Sequence, residues 1–192
     1  LLNFRVSSSA LGALAQNGGV ITTDGGAVIL SAQARDALLQ TVVNNSGQIQ
    51  AQTVANHHGT IELLGGDSGT VKVAGTLDAS APNGGDGGHI ETSGAHLKVA
   101  DGATITTKSA SGANGNWLID PQDFTIAASG GDISGATLST QLGSGNVTIQ
   151  SSSGGTAGNG DIFVNDTVSW STNTLTLNAY RNIIINTAMN GS

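Results

Sequence analysis

The sequence is poor in several residue types on which common folds and sites depend. Its 192 residues include no cysteine, which excludes disulfide frameworks and thiolate metal sites. Aromatic residues make up 3% of the chain, charged residues 10%, and only two residues are proline. No apolar run reaches the ~18 residues of a membrane span, and Leu1 opens no basic leader. We therefore expect these residues to be one segment of a larger protein, without a membrane span.

The charge balance narrows the range of partners. The formal net charge is −7, and the chain has six lysines and arginines in total. Nucleic acids and anionic membrane surfaces both select basic clusters, so neither is an expected partner. The chain instead holds 29 glycines together with many valines, isoleucines and leucines. Short apolar triplets separated by glycine favour repetitive β structure over disorder.

Aliphatic residues recur at intervals close to 28 residues in three columns. The first column is Ile21, Ile49, Leu77, Ile105, Ile133 and Ile162. The second column is Ile61, Ile90, Leu118, Val147 and Leu175. The third column is looser, with Val71, Leu97, Phe124 and Ile183, and it skips the glycine-rich segment 150–160, where we predict a projecting loop.

This period predicts an all-β fold, a parallel β-helix with coils of about 28 residues over residues 1–192. Side chains alternate along a strand, so the first and third residues of each triplet should point inward and stack between coils. Two segments depart from the repeat and have helical spacing. We predict short external helices over about 8–17 and 32–43, near the N-terminus.

The order of four segments resembles the filamentous haemagglutinin-like exoproteins of two-partner secretion, over about Gly18 to Asn186. These segments are VVNNSGQIQAQTV, GTVKVAGTLDASAPNGGDGGHIETSGAHLKVADGATI, GNWLIDPQDFTI and DIFVNDTVSWSTNTLTLNA. The resemblance implies a right-handed β-helical shaft of a large protein, secreted or held at the outer-membrane surface of a Gram-negative bacterium. It also implies export through an outer-membrane transporter and attachment to a receptor or glycan on host or bacterial surfaces. The Asn-Pro-Asn-type motif of the family's secretion domain is missing here, so the segment resembles the shaft downstream of that domain.

The segment Gly115–Ile126, GNWLIDPQDFTI, gathers rare residue types into one corner. Pro121 disfavours helix at Asp120 and fixes a turn, and Phe124 should open the next strand and point inward. Trp117 precedes Leu118 of the second column, so we expect it to point outward or lie at the corner. A structural corner is the preferred interpretation, and an exposed Trp117 that contacts a glycan is the alternative.

Catalytic and metal chemistry have few candidates. Glu62 and Glu91 are the only glutamates, and they occupy equivalent outward positions in adjacent coils. A β-helical polysaccharide lyase or hydrolase would use them as its carboxyl pair. We expect solvated surface charge instead, hence no enzyme, no cofactor and no metal site, since the histidines lack a third ligand. Self-assembly of open terminal coils into an extracellular fibre is a further alternative.

Overall fold

The computed structural model of the protein describes residues 2–7, 14–33, 41–153 and 158–192. Over these residues the chain forms a parallel β-solenoid in which each turn stacks on the turn before it. Every ladder between named strands is parallel, as expected for a β-helix. The predicted all-β fold with coils of about 28 residues is therefore confirmed.

Sheet A runs along the whole rod and contains seven strands. They are β1 (Asn3–Ser7), β4 (Ala27–Ser31), β7 (Thr60–Leu64), β10 (His89–Ser93), β13 (Asn116–Asp120), β15 (Asn146–Gln150) and β18 (Leu175–Asn178). Five-residue strands of this sheet bury their second and fourth residues and leave the other three half-buried, as in β7, β10 and β13. This alternation places one apolar side of the sheet in the core and leaves the other side facing outward.

Two four-stranded sheets complete the first turns. Sheet B contains β2 (Ala15–Asn17), β5 (Thr41–Asn45), β8 (Thr70–Val73) and β11 (His96–Val99). Sheet C contains β3 (Val20–Thr22), β6 (Gln48–Gln50), β9 (Thr76–Asp78) and β12 (Thr104–Thr106). At the corner between sheets B and C, the buried Asn17 donates to the Oδ1 atom of the buried Asn45 at 2.8 Å. This amide contact joins adjacent turns where the corner offers no apolar side chains.

The later turns use two shorter sheets and one helix. Sheet D contains β14 (Phe124–Ile126), β16 (Ile162–Val164) and β19 (Ile183–Ile185), and sheet E pairs β17 (Val168–Trp170) with β20 (Met189–Gly191). Helix α1 (Gly135–Leu142) lies between β12 and β17 and contacts both strands. It therefore takes the place that a strand of the third side would occupy in that turn.

Helix α1 is held at its start by hydroxyl and carboxylate groups. Ser134 is the N-cap, and its side chain accepts a hydrogen bond from the N–H of Thr137. Hydrogen bonds from the Ser134 and Thr137 hydroxyls lower the pKa of Asp101. Leu138 and Leu142, one helical turn apart, are fully buried.

The helix prediction near the N-terminus is wrong wherever the structure describes it. Residues 15–17 form strand β2, residues 41–43 belong to β5, and Ala32 and Gln33 are not helical. The rest of both predicted helices, residues 8–13 and 34–40, lies outside the described residues. The strands prevail because Ala15 and Val43 pair within sheet B and bury their side chains in the core.

The first predicted column is confirmed over four turns and wrong over two. Ile21, Ile49, Leu77 and Ile105 pair in register through sheet C. Ile133 and Ile162 are buried but stand elsewhere: Ile133 bridges to Ile126, and Ile162 pairs with Phe124 in sheet D. Helix α1 interrupts the column because it covers the edge of β12.

The other two columns are confirmed in part. Val71 pairs with Leu97 in sheet B. Phe124 joins Ile183 through Ile162, so β16, which follows segment 150–160, supplies the member that the predicted third column lacks in that coil. Residues 154–157 of the predicted projecting loop lie outside the described part of the chain. In sheet A the column passes through Trp117, and Leu118 is a half-buried residue of the opposite face.

Candidate functional site

The outward face of sheet A brings the two glutamates together. Glu62 and Glu91 pair directly across β7 and β10, as predicted, and both are half-buried. Their neighbours along the same row are apolar, with Ile29 on β4 and Leu118 on β13. Adjacent parallel strands lie ~4.8 Å apart, so the two carboxyls share a small patch of surface.

A third carboxyl, Asp120, stands at the end of β13 beside this pair. Its backbone pairs with Ser93 of β10, whose hydroxyl donates to Glu91 at 2.6 Å. Burial raises the pKa of Asp120, and the charge of Glu91 raises it further. The Oδ1 atom of Asp120 is buried and accepts no hydrogen bond from any of the described residues. An unpaired buried carboxylate oxygen destabilises the fold, so the ionised form of Asp120 is disfavoured.

A cavity of about 220 Å³ opens beside Asp120. Its polar lining comes from four successive turns, with Asp67 between β7 and β8, Ser93 at the end of β10, Gln122 after β13 and Ser152 after β15. Gln122 is buried, and its Nε2 atom donates to the carbonyl of Asp67 at 3.0 Å. The cavity is therefore a groove between stacked corners, with Asp120 in its wall.

Trp117 is a core residue, and the predicted outward orientation is wrong. Its side chain is 2% exposed, and it stacks between Ile90 and Val147 of the neighbouring turns. The indole Nε1–H donates to the Thr92 hydroxyl at 3.0 Å. Strand β13 begins at Asn116, so alternation turns Trp117 and Ile119 inward and Leu118 outward. An indole in this position presents no face on which a sugar could stack.

The corner after Trp117 has the structural role that was preferred for it. Phe124 is fully buried, and Pro121 is buried beside the cavity. The Oδ1 atom of Asp123 accepts the N–H groups of Asn159, Gly160 and Asp161, each at 2.8 Å. This carboxylate ties the corner to the start of β16, in the following turn.

An ion pair between the buried Asp161 and the half-exposed Arg181 holds the last turns together. Asp161 accepts two hydrogen bonds from Arg181, through Nε at 2.8 Å and through Nη2, and two more from Asn182. The Arg181 guanidinium is the largest cause that lowers the pKa of Asp161, to about 2. The pair joins the turn of β16 to the turn of β19.

The other charged side chains that the structure describes do not gather into a second cluster. Lys72 and Lys98 pair in register on the outward side of sheet B, and Lys98 forms a 2.8 Å ion pair with Asp132. Within residues 2–7, 14–33, 41–153 and 158–192, no three His, Asp or Glu side chains gather as a set of metal ligands. In the same part of the chain, no helix has both the length and the apolar character that crossing a membrane requires.

Sequence reasoning found two carboxyl groups on the outward face of sheet A, Glu62 and Glu91, and missed the third, Asp120. Glu62 and Glu91 were visible because they lie 29 residues apart, close to one coil. Asp120 was assigned only to a turn, and its spacing of 29 residues from Glu91 does not match the observed register, in which Asp120 pairs with Ser93. Asp120 lines the cavity together with Asp67 and Ser152, and the spacing of the repeat does not predict that these three residues meet.

Comparison with known proteins adds no relative. No protein-family model, no curated protein and no solved structure matches the chain.

Proposed function

We propose that this chain is a β-helical shaft segment of a large exported bacterial protein and that it presents adhesive surfaces away from the cell. The observation that carries the proposal is the unbroken run of sheet A through seven strands, from Asn3 to Asn178. A continuous hydrogen-bonded ladder with an aliphatic core behind it suits a rod that transmits force along its axis. Resemblance to filamentous haemagglutinin-like exoproteins supplies the cellular setting, namely transporter-dependent export to the outer-membrane surface.

The outward side of the rod supports attachment to polar surfaces. Sheet C presents Gln48, Gln50 and Asp78 at outward positions, and Gln50 donates to both oxygens of Asp24 in the neighbouring turn. Amide and carboxylate groups held in rows at the strand spacing are suited to hydrogen-bond the hydroxyls of a glycan. We propose a receptor or glycan on host or bacterial cells as the partner.

Single-molecule stretching between the two ends tests the shaft. Each turn is held mainly by its neighbours, so the rod should unravel turn by turn from an end. Ile21, Ile49 and Leu77 stand in register, so each released turn should lengthen the chain by about 28 residues. A single all-or-none extension, typical of a compact enzyme domain, would contradict the proposal.

Glycan-array and whole-cell binding test the adhesive role. The folded chain should bind a surface, and binding should be lost in a Leu77→Asp variant whose core is disrupted. A matched Lys72→Gln change on the exposed side of sheet B should leave the fold intact and report whether that side takes part. If the chain bound no glycan and no cell type, the proposed adhesive role would be refuted, whereas the proposed shaft role would be unaffected.

A second candidate is a polysaccharide lyase or hydrolase that uses Glu62 and Glu91. The observation in its favour is Asp120, a third carboxyl on the same face whose pKa is raised by burial and by Glu91. A general acid needs such a raised pKa. Turnover of pectin, alginate or heparin by the chain, lost in Glu62→Gln and in Asp120→Asn, would establish this activity over the shaft.

Self-assembly into a fibre is a third candidate, favoured by the last turn. Ile183 and Ile185 of β19 are 43% and 54% exposed, and no described strand pairs with their outer edge. Unpaired apolar strands promote stacking of further strands. Light scattering over a concentration series should show growing particles if copies stack end to end, and a constant molecular mass if they do not.

A further inference from the structure

Three features favour hydrolysis of the bond between Asp120 and Pro121: a tertiary amide, a neighbouring carboxyl and a hydrogen-bonded carbonyl. This bond is the single Asp–Pro bond of the chain, because Pro82 follows Ala81. A proline nitrogen carries two carbon substituents besides the carbonyl, so its amide is tertiary. Such a nitrogen accepts a proton more readily than a secondary amide and leaves more easily once protonated.

The nucleophile is next to this bond and is not engaged elsewhere. The Asp120 Oδ1 atom is buried and accepts no hydrogen bond from the residues that the structure describes. An aspartate carboxyl and its own main-chain carbonyl carbon close a five-membered ring when they join. Such an intramolecular attack gains the large proximity advantage of a reaction within one residue.

The scissile carbonyl is polarised and fixed on both sides. The Gly94 N–H donates to the carbonyl oxygen of Asp120 at 3.2 Å, which places a donor where negative charge would develop. The next carbonyl, that of Pro121, accepts the Ser152 N–H at 3.0 Å. Backbone hydrogen bonds from two other turns therefore hold the two residues that share the bond.

We propose that Asp120–Pro121 is a self-cleavage site at which the Asp120 carboxyl cuts the chain in mildly acidic conditions. The carboxyl oxygen attacks the Asp120 carbonyl carbon, and the bond from that carbon to the Pro121 nitrogen breaks. The carboxyl proton passes to the leaving nitrogen, and residue 120 is left as a cyclic anhydride. One water molecule then opens the anhydride, giving a C-terminal Asp120 and an N-terminal Pro121. The net change is hydrolysis of one peptide bond.

The surroundings favour the protonated carboxyl that this step consumes. Burial raises the pKa of Asp120, and Glu91 on β10 raises it further. Among the residues that line the same cavity, Asp67 is the other titratable one, and Ser93, Gln122 and Ser152 complete the polar lining. The cavity of about 220 Å³ admits the water that opens the anhydride. Cleavage in the folded chain should therefore begin at a higher pH than in an unfolded chain.

The cut would leave the rod assembled. Strand β13 ends at Asp120 and pairs with β15, which belongs to the second fragment. Trp117 stacks on Val147 across this same ladder. Cleaved protein should therefore migrate as one particle in native conditions and as two fragments after denaturation.

The test is incubation of the full chain over a pH series, in buffer and in denaturing urea, followed by denaturing electrophoresis and intact-mass spectrometry. Fragments ending at Asp120 and beginning at Pro121 should form faster in the folded chain than in urea at mildly acidic pH. Equal or slower cleavage of the folded chain at every pH would overturn the proposal.

Variants separate self-cleavage from contaminating proteolysis. Asp120→Asn should abolish the fragments at mildly acidic pH, and Pro121→Ala should slow them, whereas Asp86→Asn, an exposed carboxyl elsewhere, should not. Glu91→Gln removes one cause of the raised pKa, so its pH profile should move to lower pH while its fold, checked by circular dichroism, is kept. Cleavage that persists in Asp120→Asn, or a profile unmoved in Glu91→Gln, would refute the role assigned to the carboxyl.

Discussion

Replacing Gln141 with leucine should weaken the junction between helix α1 and sheet C. The buried Gln141 carboxamide accepts the Ile105 N–H at 2.9 Å and donates to the Ala103 carbonyl at 3.1 Å. A residue of an adjacent parallel strand would make this same pair of bonds, one to each side of Thr104. The side chain therefore continues the ladder of sheet C where the backbone has become helical.

The size of the effect follows from the two groups left behind. Leucine has a similar volume but no polar atoms, so the Ile105 N–H and the Ala103 carbonyl would stay buried without partners. Each such group costs about 1–3 kcal/mol, and the added apolar burial offsets a part. We expect the free energy of unfolding to fall by about 2–4 kcal/mol. Thr140→Ala, at an exposed position of the same helix, should change it by less than about 0.5 kcal/mol.

Gln141→Glu gives a second test with a defined pH dependence. A carboxylate accepts from Ile105 but cannot donate to Ala103, and its burial should raise the pKa of the new side chain above ~4.3. Because the folded-state pKa is the higher one, the variant should gain stability as the pH falls through it toward the unfolded value. Urea unfolding followed by far-UV circular dichroism measures both variants. A Gln141→Leu stability equal to that of Thr140→Ala would refute the strand-like role of the carboxamide.

Four further outcomes follow from the core and the carboxyl groups. Leu77→Asp places a charge at a fully buried position, so the free energy of unfolding should fall by about 3 kcal/mol or more, and a near-unchanged melting temperature would contradict that position. Trp117→Ala should lower it by about 3–5 kcal/mol, whereas an equally stable variant would place the indole at the surface. Arg181 lowers the pKa of Asp161 from 3.8 to about 2, so the stability that this pair contributes should be lost as the pH falls from 3.8 to about 2. In Asp161→Asn the free energy of unfolding should depend less on pH over the same range. The pKa of Asp120 is raised, so Asp120→Asn should be at least as stable as the natural chain at neutral pH. The natural chain should become as stable as the variant when acidification protonates Asp120. A clear loss of stability in the variant at neutral pH would contradict this.

The parts of the fold that repeat at constant length were predictable from the sequence. Ile21, Ile49 and Leu77 lie at equal spacing, and equal spacing in the chain becomes register in the ladder when every coil has the same number of residues. Polar outward positions such as Glu62 and Glu91 followed from the same alternation. Both are consequences of a two-residue strand period within a fixed coil length.

Two local features could not be read from the repeat. Trp117, Leu118 and Ile119 are three successive apolar residues, so alternation alone cannot decide whether the inward set includes Leu118 or its two neighbours. In the structure Trp117 pairs with the buried Ile90 and Val147, so Trp117 and Ile119 point inward and Leu118 points outward. Helix α1 was hidden by its serine and threonine content, since these residues have modest helix propensity and no capping carboxylate follows in its first turn.

The candidate site was less predictable than the fold because it is built between turns. Asp67, Asp120 and Ser152 belong to three different turns and meet only through the stacking of corners of unequal length. The corner lengths differ because each glycine-rich connection is free to vary while the strands stay in register. Sequence spacing therefore predicts what lies along a strand better than what meets across a groove.

Asp120 and Asp123, the two aspartates of the corner after Trp117, differ in their hydrogen bonding. Asp123 accepts three backbone N–H groups through one oxygen, an arrangement that ties two turns together. Asp120, three residues earlier, has a buried oxygen that accepts no hydrogen bond from the described residues, and burial and the charge of Glu91 both raise its pKa. A corner that served packing alone would gain from asparagine or serine at residue 120, since either would avoid the buried charge. An unsatisfied carboxyl whose ionised form is disfavoured, placed directly before the one Asp–Pro bond, is the arrangement that the proposed self-cleavage requires.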